Sequence, residues 1–154
     1  MRRQDKYPNT DIFNYLNTNP HNRITTDCVI RAIAGAMVSS NSKESLGNEK
    51  LCKAMWEVVM NDLSDWACSL GYMPTDTKCY SRYLQLHGFK QHKQLRHDDN
   101  TKYTLKEFIE THRTGVYLVN MPSHLTLVVD GINYDIWDCT KCDNRVGIYW
   151  EKVA

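Results

Sequence analysis

The sequence predicts an α+β domain in which N-terminal helices pack against a C-terminal antiparallel β-sheet. Three observations carry that expectation. Apolar residues recur at i, i+3, i+4 spacing through the first two thirds of the chain. β-branched and aromatic runs, separated by short turns, fill the last third. The 154 residues contain no repeat, low-complexity tract or linker, so one core accounts for residues 1–154. The expected organisation is an extended arm over 1–24, a mainly helical part over 25–115 and antiparallel strands over 116–151.

The arm is rich in Asn and Pro (PNTDIFNYLNTNPHNR) and reads as turn-rich chain rather than helix. Thr26 or Asp27 is placed to cap a first helix whose apolar positions are Val29, Ile30, Ile33, Ala34 and Met37. The chain then loosens into the polar loop SSNSKESLGN. A longer helix is expected over about 48–70, where Leu51, Met55, Val58, Leu63, Trp66 and Leu70 share a stripe that also includes Val59; Gly71 stands at its C-cap position. A third helix covers about 76–87 and stops before Gly88. Thr104 and Glu107 have capping-box spacing and open a fourth, ending near His112 with Gly115 just beyond. VYLVNM (116–121), HLTLVVD (124–130), INYDIWD (132–138) and RVGIYW (145–150) follow as strands, divided by Pro-Ser, Asp-Gly and Cys-Asp-Asn turns.

Composition narrows the classes of function. With 42% hydrophobic and 24% charged residues the chain is of ordinary globular type, and no run approaches the ~18 apolar residues of a membrane span. The net charge of +1, with both signs mixed along the chain, gives no basic stripe for nucleic acid. MRRQDKYPNTD lacks the apolar centre of a secretory signal, so a cytoplasmic protein is expected. The six cysteines are accordingly read as thiols.

Chemistry concentrates at two places. Cys28 stands at the start of the first helix, in TTDCVIRAIAGAM. Unpaired backbone N–H groups and the helix dipole favour a thiolate there, and the same N–H groups suit a developing oxyanion. A buried cysteine that merely packs is the alternative for this position. His124 begins the strand HLTLVVD, and the return strand INYDIWD carries Asp135 and Asp138, either able to orient an imidazole. Strand register separates them. A two-residue Asp130-Gly131 turn places Val129 opposite Ile132, His124 opposite Trp137, and Asp135 on the histidine's side of the sheet. A turn one residue longer places His124 opposite Asp138 and turns Asp135 away.

The order Cys, His, Asp, with the nucleophile on an early helix and its partners on later adjacent strands, resembles the papain-like superfamily of cysteine peptidases and related acyl-transfer enzymes. More narrowly the chain is similar to small phage-encoded papain-like proteins, through NTNP (17–20), DCVIRAI (27–33) and HLTLVVDGINYDIWD (124–138). That resemblance runs from about Phe13 to Trp150. It implies a papain-like fold, Cys28 as nucleophile, His124 as general base, and Asp138 as third member with Asp135 the second choice. It also implies an amide side chain upstream of the nucleophile, for which Asn22 stands at a suitable distance and joins the Cys28 N–H as oxyanion donor. The implied activity is hydrolysis of a peptide or isopeptide amide by a thioester route, in the cytoplasm of a host cell. Deamidation, transglutamination or cleavage of a peptidoglycan amide use the same triad; an inactive papain-like module that inhibits a host defence protein is a reading of another class. The expected partner is a protein or peptide substrate, a host factor among the candidates, with neither nucleic acid nor membrane, and no cofactor is called for.

Other residues have plainer readings. Asp27 reads as a cap and Arg31, four residues on, as its ion-pair partner. Trp137 is a candidate wall for a substrate site, or core; Trp56, Trp66 and Trp150 read as core or partly buried surface. Cys139 and Cys142 have the spacing of half a zinc knuckle, but no second pair accompanies them. Histidines 21, 87, 92, 97 and 112 lie in polar surroundings and are expected to be solvated.

Overall fold

A computed structural model describes residues 1–40 and 42–153; the central part of the expected polar loop, Asn41, therefore lies outside the described residues. The chain forms an α+β fold. In order, the elements are α1 (Arg3–Lys6), β1 (Phe13–Tyr15), α2 (Cys28–Ser39), α3 (Glu49–Leu70), α4 (Thr77–Leu86), β2 (Phe89–His92), α5 (Leu105–Thr111), β3 (Val116–Met121), β4 (His124–Val129), β5 (Ile132–Asp135) and β6 (Tyr149–Lys152). Short 3-10 turns occupy Lys43–Gly47 and Cys139–Lys141.

Local signals set most of these boundaries. The Asn48 side chain accepts from the Leu51 N–H to start α3, and Gly71 ends it at φ 78°, a conformation that costs glycine nothing. At α5 the capping box forms in both directions between Thr104 and Glu107. Three expectations are corrected. The arm carries a short helix, α1, and a strand, β1. β2 interrupts the helical part. The fourth expected strand, 145–150, is displaced to Tyr149–Lys152.

Six strands of the described chain form one sheet in the order β1-β5-β4-β3-β6-β2. All neighbours are antiparallel except β1, which runs parallel to β5 at the edge, so the sheet is mixed rather than a purely antiparallel meander. Alternation splits β3 and β4 between two cores. Leu118, Leu125 and Leu127 face α2, with α3 and α4 beyond it. Tyr117, Val119 and Val128 face α5 and the segment around Cys139 and Val146. Helix α2 is apolar almost all round because it is sandwiched between the sheet and α3. Its Gly35 allows that approach: a Cβ there would stand 2.5 Å from Leu127 Cδ2.

The β4–β5 connection decides the register. Asp130 and Gly131 form a two-residue turn with both φ values positive, 48° and 79°, as a type I′ hairpin requires. Val129 therefore faces Ile132 and Leu127 faces Tyr134. Continuing the ladder sets Thr126 opposite Asp135.

Candidate active site

Cys28 opens α2 and His124 opens β4, and α2 lies along β4, so the two starts meet at one end of the sheet. There the thiol and the imidazole are close enough to shift each other's titration. His124 Nε2 contacts Asp135 Oδ2 at 2.6 Å, which leaves Nδ1 for the sulfur. The carboxylate that completes the line is thus Asp135. Asp138, favoured by the resemblance, is elsewhere: its Oδ1 accepts from the Thr140 N–H at 3.0 Å and starts the 3-10 turn Cys139–Lys141. The physical reason is the two-residue turn, which ends β5 at Asp135 with that side chain on the histidine's side. Asp138 Oδ2 is left buried without a partner.

Asp135 is held on every side. It accepts from the Thr126 hydroxyl at 2.6 Å, and its Oδ1 lies 3.5 Å from Arg31 Nη2. Asn133 in turn donates from Nδ2 to Thr126 Oγ1 at 2.8 Å and fixes that hydroxyl's direction. Arg31 is buried on α2 between two carboxylates, Asp135 and Asp27. Asp27 occupies the N-cap position but caps nothing with its side chain. Instead it pairs with Arg31 and accepts from Asn19 Nδ2 at 3.1 Å and Trp56 Nε1 at 2.9 Å. The first-turn N–H groups of α2 therefore have no side-chain acceptor competing for them.

The electrostatics follow from this arrangement. Burial opposes ionisation of the Cys28 thiol, but the hydrogen bond to His124, the Leu125 N–H and the nearby His124 and Arg31 charges outweigh it, and the thiol titrates below its usual range. Burial likewise opposes charge on His124, yet its bonds to Asp135 and Cys28 carry its pKa up to about 9. Asp135 is pulled below the usual carboxylate range despite its burial, chiefly by the hydrogen bond to His124. Opposite shifts on thiol and imidazole favour a thiolate beside an imidazolium near neutral pH.

The site lies on an open cleft of about 1340 Å³. Trp137 borders it beside His124, ring centroids 5.1 Å apart, and also packs against the α5-side core, so both readings of its position hold contacts. Asn22 does not join the site. It is exposed, in a left-handed turn at φ 54°, with its N–H donating to the Asn19 carbonyl, and it is absent from the cleft lining. Asn19 does line the cleft, but its amide is committed to Asp27. The oxyanion donor supported here is the backbone N–H of Cys28.

The Cys139 and Cys142 thiols turn to different partners. The Cys142 thiol donates to the Cys139 carbonyl at 3.2 Å, while Cys139 is buried behind Asp135, 3.4 Å from Oδ2. Burial and the Asp135 charge push the Cys139 thiol far up, so it stays protonated. His124, Asp135 and Cys139 offer atoms within 4.8 Å of one another, but they already satisfy each other by hydrogen bonds. The histidines also depart from expectation: His92, His97 and His112 stack half-buried on Tyr149, Tyr103 and Phe108. Sequence reasoning missed Thr126 and the link from Arg31 to Asp135. Thr126 lies two residues after His124, hence on the same strand face, which is the signal that could have found it.

No family model, curated protein or solved structure matches this chain. No helix among the described residues is long and apolar enough to cross a membrane.

Proposed function

We propose that the protein is a cysteine-dependent hydrolase of amide bonds in peptides or isopeptides, with a papain-like division of labour among Cys28, His124 and Asp135. The observation that carries this reading is the His124 imidazole bonded to buried Asp135 at 2.6 Å and facing the cleft together with Cys28 at the start of α2. In the proposed reaction His124 holds the proton of the Cys28 thiol. The thiolate sulfur adds to the carbonyl carbon and the carbonyl π pair moves onto oxygen, which accepts from the Cys28 N–H. Collapse breaks the C–N bond, and the departing amine takes the proton from His124. Water, losing a proton to His124, then attacks the thioester and expels Cys28 as thiolate. Asp135 keeps one ring tautomer and supports the imidazolium throughout.

The test is competition among six thiols for a peptidyl acyl electrophile at pH 6.5, read by mass spectrometry. Cys28 is expected to be labelled first, ahead of the exposed Cys68, and Cys28→Ala to abolish hydrolysis of amide substrates. Labelling of Cys28 no faster than Cys68 would leave the chain as a binding module.

A further inference from the structure

The cleft is uneven in both charge and polarity. Five cationic side chains line it, Arg3, Arg23, Arg31, Lys102 and Arg145, against one carboxylate, Asp27. Arg31 and Asp27 neutralise each other beneath the floor. Arg145 is shared with Glu107, 3.7 Å away and itself bonded to His97. Arg3, Arg23 and Lys102 have no carboxylate partner among the described residues; the Arg3 Nε donates to the Ile136 carbonyl and its guanidinium lies over the Tyr7 ring, 5.3 Å from the centroid. With a net charge of only +1 over the whole chain, this excess is local to the cleft.

The second feature is apolar. Ile24, Met60 and Met73 are among the few large hydrophobic side chains left exposed, and all three line the cleft. Met60 and Met73, with Trp56 and Tyr80, belong to the α3–α4 side. Arg3 is tied to the Ile136 carbonyl, and Lys102 and Arg145 are joined to each other next to α5, which packs on the other core from α3 and α4. Cys28 and His124 stand between these banks.

We propose that the cleft binds an extended peptide carrying acidic side chains beside the amide presented to Cys28, with an apolar side chain laid on the α3–α4 bank. Methionines on that bank adapt to side chains of varied shape, while the opposite cations fix orientation and partner by charge. Hydrolysis of that amide rests on the reading of Cys28 and His124 above; recognition of the acidic segment stands on the cleft lining alone.

Binding is measured on the full-length Cys28→Ala protein by fluorescence anisotropy, with a peptide holding a Met-Leu pair next to two Glu, the same peptide with two Gln, and a single-stranded oligonucleotide of equal charge. The Glu peptide is expected to bind about tenfold more tightly than the Gln peptide, the margin expected of a few partly exposed charge pairs. That preference should shrink between about 0.05 M and about 0.5 M salt. Adding Arg23→Glu and Lys102→Glu should erase it while the urea midpoint and circular dichroism stay those of Cys28→Ala. Equal affinity for the two peptides, a preference untouched by the double substitution, or tighter binding of the oligonucleotide overturns the proposal. Thiol labelling of the unsubstituted protein is scored separately. A Glu preference without selective Cys28 labelling removes hydrolysis and leaves recognition standing; selective labelling without a Glu preference does the reverse.

Discussion

At the scale of single residues, the two aspartates divide cleanly by what they touch. Asp135 holds the imidazole, and Asp138 holds a turn. Asp135→Asn is expected to lower kcat/KM by a factor of about 10²–10⁴, since an amide supports neither the tautomer nor the imidazolium. Asp138→Asn keeps the acceptor that starts the 3-10 turn and should change kcat/KM little; Asp138→Ala loses a cap worth about 1 kcal/mol of stability. Steady-state kinetics on the three variants with one amide substrate decide it, and a larger loss from Asp138→Asn than from Asp135→Asn would reassign the third member. The pH dependence has a definite sign. Cys28 titrates low, so its alkylation by iodoacetamide should persist below pH 7. His124 loses its proton near pH 9, so turnover that needs the imidazolium should decline as pH rises through that value. A rate that instead climbs through pH 9, as an ordinary thiol's does, contradicts a paired Cys28.

At the scale of elements, the site depends on one short turn and one close approach. The type I′ pair Asp130-Gly131 sets the β4–β5 register, and an extra residue there would move the whole of β5 by one face. Inserting Gly between Asp130 and Gly131 should therefore abolish selective labelling of Cys28 even in protein that still folds by circular dichroism. Gly35 lets α2 lie against β4 and so sets the spacing between Cys28 and His124. Gly35→Val is expected to cost about 1–3 kcal/mol through overpacking against Leu127, seen as a lower urea midpoint together with weaker Cys28 selectivity. Much at this scale was legible in sequence. The capping box at Thr104, the αL glycine after α3 and the Asp-Gly turn each act through neighbours in the chain, and each is where local chemistry puts it. Both registers of the hairpin were visible too, and the two-residue turn selects Asp135. What stayed hidden depends on distant partners. β1 is three residues long and pairs in parallel with a strand more than a hundred residues away; β2 (FKQH) is short and polar because it closes the far edge. Asp27 looked like a cap because nothing local reveals Trp56 and Asn19 converging on it.

At the scale of the molecule, Arg31 joins parts that are far apart in sequence. Its guanidinium meets Asp27 just before Cys28, Asp135 beside His124 and the Thr25 carbonyl on the approach to α2. Arg31→Met leaves two buried carboxylates without a cation and should cost about 3–5 kcal/mol, measured by urea unfolding. Restored labelling and stability in Asp27→Asn/Arg31→Met would show how much of that loss is unpaired charge. The edge strand β1 has a wider consequence. By covering β5 with three residues, it ends the sheet beside the carboxylate that serves the site, while Lys90 and Gln91 give the opposite border a polar finish. Stripping residues 1–16 would turn β5 into a bare ladder of amide groups seeking a partner, and a second molecule offers one. Removal of the arm is therefore expected to show as dimers and larger species by light scattering.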